Sequence, residues 1–315
     1  MSARPWTDRL ARYLALRRAL GFAMRAEERL LRDFVAFIDT HGFGDPLAAA
    51  VVVDWAQTTA AHCGAAGQAR RLSVARGFLT HVRAAVPETA VPAHGLLARA
   101  RRRRPYLFTD AEITALLRAA SALGPRDALR PYTVATLIGL LASCGLRAGE
   151  ALRLRRADVD LTTEPPCLHV RLTKFRKSRL VPLHPSTVAA LRTYAAHRAR
   201  LGYDDLCEHF FVSERPGPLN YHVIARTFVA LVRRLGLRGP AGSRGASLHT
   251  LRHTFAVNRL LTWYRAGLDV RARLPELAVY LGHVRPQDTY WYLSATPDLL
   301  RTAGERFEQH AGATP

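Results

Sequence analysis

Residues 167–183 read CLHVRLTKFRKSRLVPL, and here the hydrophobic period of the chain changes. Leu168, Val170 and Leu172 alternate with polar neighbours, residues 179–183 resume the apolar pattern, and the polar run 173–178 separates the two. A period of two interrupted by a polar turn predicts a β-hairpin. Outward from this hairpin, nearly everything follows the helical period. Upstream, Leu30, Leu31, Phe34, Val35, Phe37 and Ile38 recur at i, i+3, i+4 and i+7 before His41-Gly42 stops the run. Leu10, Tyr13, Leu14 and Leu20 form an earlier apolar face closed by Gly21. Val51, Val52 and Trp55 mark a shorter helix. Leu72, Phe78, Leu79 and Val82 mark a longer one, with Arg70, Arg71, Arg76 and Arg83 as its basic residues. Downstream, residues 209–212 are a candidate short strand. Ile224, Phe228, Leu231 and Leu235 form an amphipathic helix ended by Gly236, residues 238–246 a glycine-rich loop, and helices resume from Ser247. The expected fold is mainly α (multidomain α+β), a helical bundle followed by a helical domain carrying a small antiparallel sheet.

A composition shift divides the chain. Pro87, Pro92, Gly95 and Pro105 break the periodicity, and Arg101, Arg102, Arg103 and Arg104 form an unbroken cationic run. Thr109-Asp110-Ala111-Glu112 then has the form of a capping box ahead of Ile113, Leu116 and Leu117. The expected division is residues 1–94 as an N-terminal helical domain, 95–106 as a linker and 107–315 as the second domain. A length of 315 residues suits two such domains.

With 49% apolar and 23% charged residues, disorder, collagen and coiled coil are excluded as whole-chain descriptions. The charge balance is unusual. Against 25 acidic residues stand 46 basic ones, a formal net charge of +21, and such a field points to a polyanion, nucleic acid above all. Only two of the basic residues are lysines, Lys174 and Lys177. Arginine does not give up its proton in proteins, so a lysine retained against that usage hints at a task for a titratable ammonium. Cys63, Cys144, Cys167 and Cys207 form no CxxC pair, so neither a zinc ribbon nor a disulfide framework is expected. The opening MSARPWTDRLARYLALRR lacks signal-peptide form, and residues 132–146 are too short and too rich in Thr, Ser and Gly to span a bilayer. The expectation is a reduced, intracellular protein with no membrane partner.

Four segments can carry chemistry. In 143–150, SCGLRAGE, an apolar helix reaches a glycine and presents Arg147, with Glu150 three residues on; alone it reads as a helix end with an exposed ion pair. Lys174 lies at the hairpin tip. In 247–253, SLHTLRH, Ser247 is a candidate N-cap that puts His249 and Arg252 on one face, where free N–H groups suit a phosphate. His249 and His253 also have HxxxH spacing, but zinc proteases need Glu directly after the first His, and Thr250 stands there. In 281–293, Gly282-His283 precedes the aromatic cluster Tyr290-Trp291-Tyr292, which in isolation reads as core packing.

In chain order these segments resemble the tyrosine recombinase (phage integrase) family. GLRxxE, TKxxKSRLVPL, LHTLRHTFA and LGH-x8-Y match its catalytic pattern from residue 143 to 292, and RRALGF with FVAF is similar to its SAM-like, DNA-clamping N-terminal domain. HVRPQDTYWYL looks most like recombinases carried by transposons. The resemblance implies a site-specific recombinase that cleaves and rejoins DNA through a 3′-phosphotyrosyl ester, without ATP, metal or any other cofactor. The sequence shows no acidic cluster to hold magnesium. It implies Arg147, Lys174, His249, Arg252 and His283 around the phosphate, with Tyr292 as nucleophile. Tyr290 and Tyr280 are its competitors; on a helix Tyr290 and Tyr292 point in nearly opposite directions. Lys174 would protonate the leaving oxygen, with Lys177 the nearby alternative, and Glu150 would orient the Arg147 segment.

DNA contacts are expected from Arg70, Arg71, Arg76, Arg101, Arg102, Arg103, Arg104, Lys177 and Arg179. The implied partners are double-stranded DNA and a homotetramer on two sites, alone or with related recombinases, with Leu299, Leu300 and Phe307 anchoring a tail on a neighbour. The implied location is the cytoplasm, at the nucleoid. Ala148 and Thr173 depart from the commoner pattern, in packing and loop motion rather than in reacting groups. A type IB topoisomerase and a non-catalytic DNA-binding accessory protein on the same scaffold are the rivals.

Overall fold

A computed structural model describes residues 5–58, 63–97, 105–125, 128–171, 178–214, 217–240, 245–283, 285, 287–294 and 301. The chain divides into two compact units, Met1–Arg103 and Arg104–Pro315. In the first, helices α1 (Pro5–Ala19), α2 (Arg25–Thr40), α3 (Ala49–Gln57) and α4 (Ala65–Val82) bury the faces that the periodicity marks. Leu31, Phe34, Val35 and Ile38 of α2 meet Trp6, Leu10 and Leu14 of α1, Val52 and Trp55 of α3, and Leu72, Phe78 and Leu79 of α4. Leu20 departs from expectation. It falls beyond the end of α1 and is exposed.

The arginines of α4 divide by what they meet. Arg71 was expected on DNA, yet its side chain is buried. It lies over the Trp55 ring at 4.0 Å, donates from Nη2 to the Trp55 carbonyl at 3.0 Å and pairs with Asp33 at 2.9 Å. Arg76 donates to the carbonyls of Pro92 and Ala93 at 2.8 and 3.0 Å, tying that strand of chain to α4. Arg70 remains largely exposed, 3.8 Å from Glu27. Arg101 to Arg104 lie outside the described residues.

The second unit opens with α5 (Asp110–Ser121). The Glu112 N–H donates to the Thr109 hydroxyl at 3.2 Å, and the Thr109 N–H donates to the Glu112 carboxylate at 2.8 Å, a capping box as read from sequence. Helix α6 (Leu129–Cys144) is apolar on most sides and forms the centre of this core, with α7 (Ala148–Ala151) following. Strands β1 (Val159–Asp160), β2 (Cys167–Val170) and β3 (Arg179–Pro182) make one antiparallel sheet in that order. Leu168 sits opposite Val181 and Val170 opposite Arg179, so the alternating set turns Leu168, Val170 and Val181 into the core. The hairpin is therefore present, and its tip, with Leu172, Thr173, Lys174 and Lys177, lies outside the described residues. β1 had no sequence signal, being two residues long. Residues 209–212 do not form a strand; Arg155 and Val212 make isolated bridges to His209 and Pro218, while Phe210 and Phe211 pack around Tyr194.

Helices α8 (Pro185–Arg200), α9 (Tyr221–Arg234), α10 (Leu248–Arg265), α11 (Val270–Leu281) and α12 (Gln287–Tyr290) complete the unit, and residues Trp291–Ser294 form a 3-10 turn. None of the described helices is long and apolar enough to cross a membrane.

Gly145 ends α6 at φ +60°, and a Cβ there would lie 2.4 Å from Cδ1 of Phe255. That ring stacks on Tyr280 at 5.5 Å and is itself buried, so it has little room to yield. Gly145→Ala is expected to destabilise this unit by about 1–3 kcal/mol, read as a lower urea midpoint with an unchanged slope.

Candidate active site

Two helices that end in left-handed glycines build the site. At Gly145 and Gly282, with φ +60° and +68°, the last carbonyls of α6 and α11 turn outward, where the negative ends of both helix dipoles favour cations. Three consecutive carbonyls at the end of α11 each accept from a different arginine. Arg179 Nε donates to Tyr280 O at 2.7 Å, Arg252 Nη2 to Leu281 O at 2.6 Å, and Arg147 Nη2 to Gly282 O at 3.0 Å. Arg252 Nη1 also donates to Gly145 O at 2.8 Å, which joins the two helix ends through one guanidinium.

One carboxylate sits among these three charges. Glu150 accepts from Arg147 Nη1 at 2.8 Å, from Arg179 Nη2 at 2.8 Å and from the Arg147 backbone N–H at 3.1 Å. Burial alone would raise its carboxyl, but the hydrogen bonds and charges of Arg179, then Arg147, overcome that and hold it at about 2. Arg252 is 1% exposed. Burial and the nearby Arg147 charge pull its guanidinium down to about 10, while Tyr292 and Glu150 act in the other direction. Among the described residues, three guanidiniums against one carboxylate leave an excess of positive charge, and the geometry suits an anion.

Both histidines of the expected set face that charge. The Ser247 N–H donates to the Thr250 hydroxyl at 2.9 Å, which fixes the first turn of α10 and with it His249 and Arg252. His249 is pushed below the usual imidazole value by burial, then by Arg252 and Arg147. His283 is pushed to about 4 by the same causes in the same order. Its Nδ1 lies 2.7 Å from the buried Thr289 hydroxyl, which holds the ring in place. Near pH 7 both imidazoles are neutral, each with one N–H to donate and one lone pair.

Tyr292 is 3% exposed, yet its hydroxyl is not in a purely apolar setting. It lies 3.0 Å from His253 Nδ1, and its ring runs parallel to that of His283 at 6.2 Å. Tyr290 is exposed. Tyr280 packs on Phe255, and burial together with Cys144 pushes its phenol far above the ordinary range.

Arg147, Glu150, His249, Arg252, His283 and Tyr292 thus come together, while Lys174 falls outside the described residues. Sequence reasoning placed Arg179 on DNA. Its guanidinium is about one-tenth exposed and belongs to this cluster through Glu150 and Tyr280 O. His253 was weighed only for zinc spacing, and its contact with Tyr292 joins residues 39 apart. Among the described residues, no group of three or more His, Cys, Asp or Glu side chains is placed to hold a metal ion.

A sequence profile described as the phage integrase family matches residues 107–298. Over 302 residues the chain is 42% identical to the integrase/recombinase y4rB of Sinorhizobium fredii, covering 94% of this chain and 95% of that protein. In backbone it is similar to the Tn1549 transposon integrase in complex with transposon right end DNA, with a TM-score of 0.68 at 16% identity over 96% of this chain and 98% of that one. It is also similar to a lambda integrase tetramer bound to a Holliday junction, with a TM-score of 0.61 at 18% identity, covering 89% and 77%.

Proposed function

We propose, on the premise that this chain is a tyrosine recombinase of the phage integrase family, that it cuts and rejoins duplex DNA through a phosphotyrosyl ester on Tyr292. The observation that carries this reading is the buried, uncompensated arginine cluster beside a tyrosine hydroxyl. A phosphodiester brings the missing negative charge. Arg147, about one-third exposed at its side chain, meets the non-bridging oxygens, while Arg252 supplies a fixed charge beneath them. The neutral His249 and His283 donate to the same oxygens. Free tyrosine has a pKa of about 10, so attack by the Tyr292 oxygen on phosphorus depends on this preorganised field. As the new O–P bond forms, the bond to the 5′ oxygen breaks and Lys174 supplies the proton that oxygen needs. The 3′-phosphotyrosyl ester stores the bond energy, so a 5′ hydroxyl from either duplex can reverse the step without ATP.

Exchange between two duplexes needs more than one protomer, and the tetrameric likeness supports a homotetramer on two sites, alone or with related recombinases. The transposon likeness supports a role in moving a genetic element; a protein that acts on DNA in this way would work at the nucleoid in the cytoplasm. The test is a library of nicked duplexes in EDTA without ATP. The nick lets the short strand diffuse away and traps the intermediate. Expected is an SDS-resistant protein–DNA adduct whose protease digest leaves the nucleotide on the peptide holding Tyr292. DNA binding without any adduct would support the accessory-protein reading instead. An adduct that only relaxes supercoils, and never joins two sites, would favour the topoisomerase.

A further inference from the structure

We infer that His253 takes the proton from the Tyr292 phenol during cleavage and gives it back on religation; this rests on Tyr292 being the nucleophile. His253 Nδ1 lies 3.0 Å from the Tyr292 hydroxyl, hydrogen-bond distance to the atom that must lose a proton. The ring planes of the pair are tilted by 59° at 5.5 Å, and Trp291 covers His253 from the same turn at 5.4 Å. With Tyr292 3% exposed, solvent has little access to accept the proton in place of a side chain.

Two further histidines flank the pair. His249 and His253 are one helical turn apart on α10, with ring centroids 4.5 Å apart, and burial, Arg252 and Arg147 act on His249. His283 has its Nδ1 on Thr289. Among the described residues, the charged groups that act on His249, Arg252 and His283, the neighbours of the pair, are Arg252 itself from α10, Arg147 from the start of α7, Glu150 from α7, Arg179 from β3 and Asp288 from α12.

This arrangement couples proton transfer to DNA. In the transfer the phenol O–H bond breaks, its electron pair forms the bond to phosphorus, and the proton binds His253 Nδ1 to give an imidazolium. That cation adds a positive charge next to Tyr292, whose phenol already interacts with Arg252. The charge of a bound phosphodiester offsets it. The phenol therefore stays neutral in the empty site and becomes reactive when the scissile phosphate arrives. On religation the imidazolium returns its proton to the departing phenolate, so the cycle closes without net proton uptake.

The test is single-turnover adduct formation on a nicked duplex between pH 5 and 10, with wild type, His253→Asn and His253→Ala. The Asn side-chain amide stands where Nδ1 stood; it keeps a hydrogen bond to Tyr292 and cannot take a proton. Wild type should show a rate that rises with pH through a histidine-like limb. His253→Asn should lose that limb, react about 10²–10⁴-fold more slowly at neutral pH, and recover towards pH 10 as the phenol ionises unaided. Added imidazole should restore part of the rate to His253→Ala. A 5′-bridging phosphorothiolate, whose leaving group needs no proton, should not rescue either variant. Retention of the limb and rate in His253→Asn would overturn the inference and leave the contact a resting one. A pH-independent loss in His253→Ala that Asn repairs would also overturn it, in favour of positioning alone. If wild type forms no adduct, or Tyr292→Phe still forms one, the failure lies in the nucleophile assignment.

Discussion

Tyr292→Phe is expected to reduce covalent adduct formation below detection while leaving DNA affinity unchanged. The substitution removes one oxygen. The ring stays in its cluster with Phe255, Leu260, Leu277 and Leu281, so the cavity term that usually dominates core substitutions is absent. Among the described contacts, the bond to His253 is lost, a net cost of about 0.5–1.5 kcal/mol, partly offset because a buried phenol no longer needs a partner. A small stability change beside total loss of cleavage separates chemistry from folding. Tyr290→Phe and Tyr280→Phe provide the contrast. Tyr290 is exposed and Tyr280 has its phenol pushed far up by burial, so both variants should still form adduct. The measurement is a denaturing gel of trapped complexes beside a gel shift of the same proteins. Loss of adduct in Tyr290→Phe or Tyr280→Phe, with Tyr292→Phe active, would move the nucleophile.

The helical framework was legible because burial repeats along a single segment. The i, i+3, i+4 series of α2 predicted Leu30, Leu31, Phe34, Val35, Phe37 and Ile38; the helix buries Leu31, Phe34, Val35 and Ile38, and Leu30 and Phe37 are partly buried at the edge of that face. The hairpin was legible for the same reason at period two, whereas β1, with two residues and no alternation, left no trace. Charge was legible in sum and not in place. Arg71 and Arg179 look like solvated cations in their own segments, but Asp33 and Trp55 take up the first, and Glu150 and Tyr280 O the second. Those partners lie up to 101 residues away, beyond any local pattern. The same limit hid His253. Its helical spacing from His249 was visible, but the return of the chain at Tyr292 was not. Gly145 was visible as a helix end and Gly282 only as the neighbour of His283, and the consequence, carbonyls turned onto arginines, follows only once both ends meet.

Glu150→Ala should cost this unit about 3–5 kcal/mol, the range for removing one partner of a buried ion pair. The reason is asymmetry. The pair with Arg179 is not in itself a large source of stability, since desolvating both charges offsets most of their attraction. Removing only the carboxylate leaves Arg147, Arg179 and Arg252 facing one another with helix-end carbonyls as their remaining compensation. Acid should reproduce the effect in wild type. The Glu150 carboxyl sits at about 2 in the folded chain against an ordinary 4.5. The unfolded chain therefore binds a proton first, and stability present above pH 4.5 drains away as pH falls towards 2. At 1.36 kcal/mol per pH unit the loss is about 3 kcal/mol, close to the truncation cost. Glu150→Gln keeps an acceptor for both arginines but no charge, so it should lose less than Ala at neutral pH and lose this carboxyl's share of the acid dependence. Urea titrations at pH 2.5, 4.5 and 7 measure all three proteins. Adding Arg179→Met to Glu150→Ala should recover part of the loss, because one uncompensated cation is gone; strict additivity of the two substitutions would mean the pair is not coupled and that other contacts hold the arginines in place.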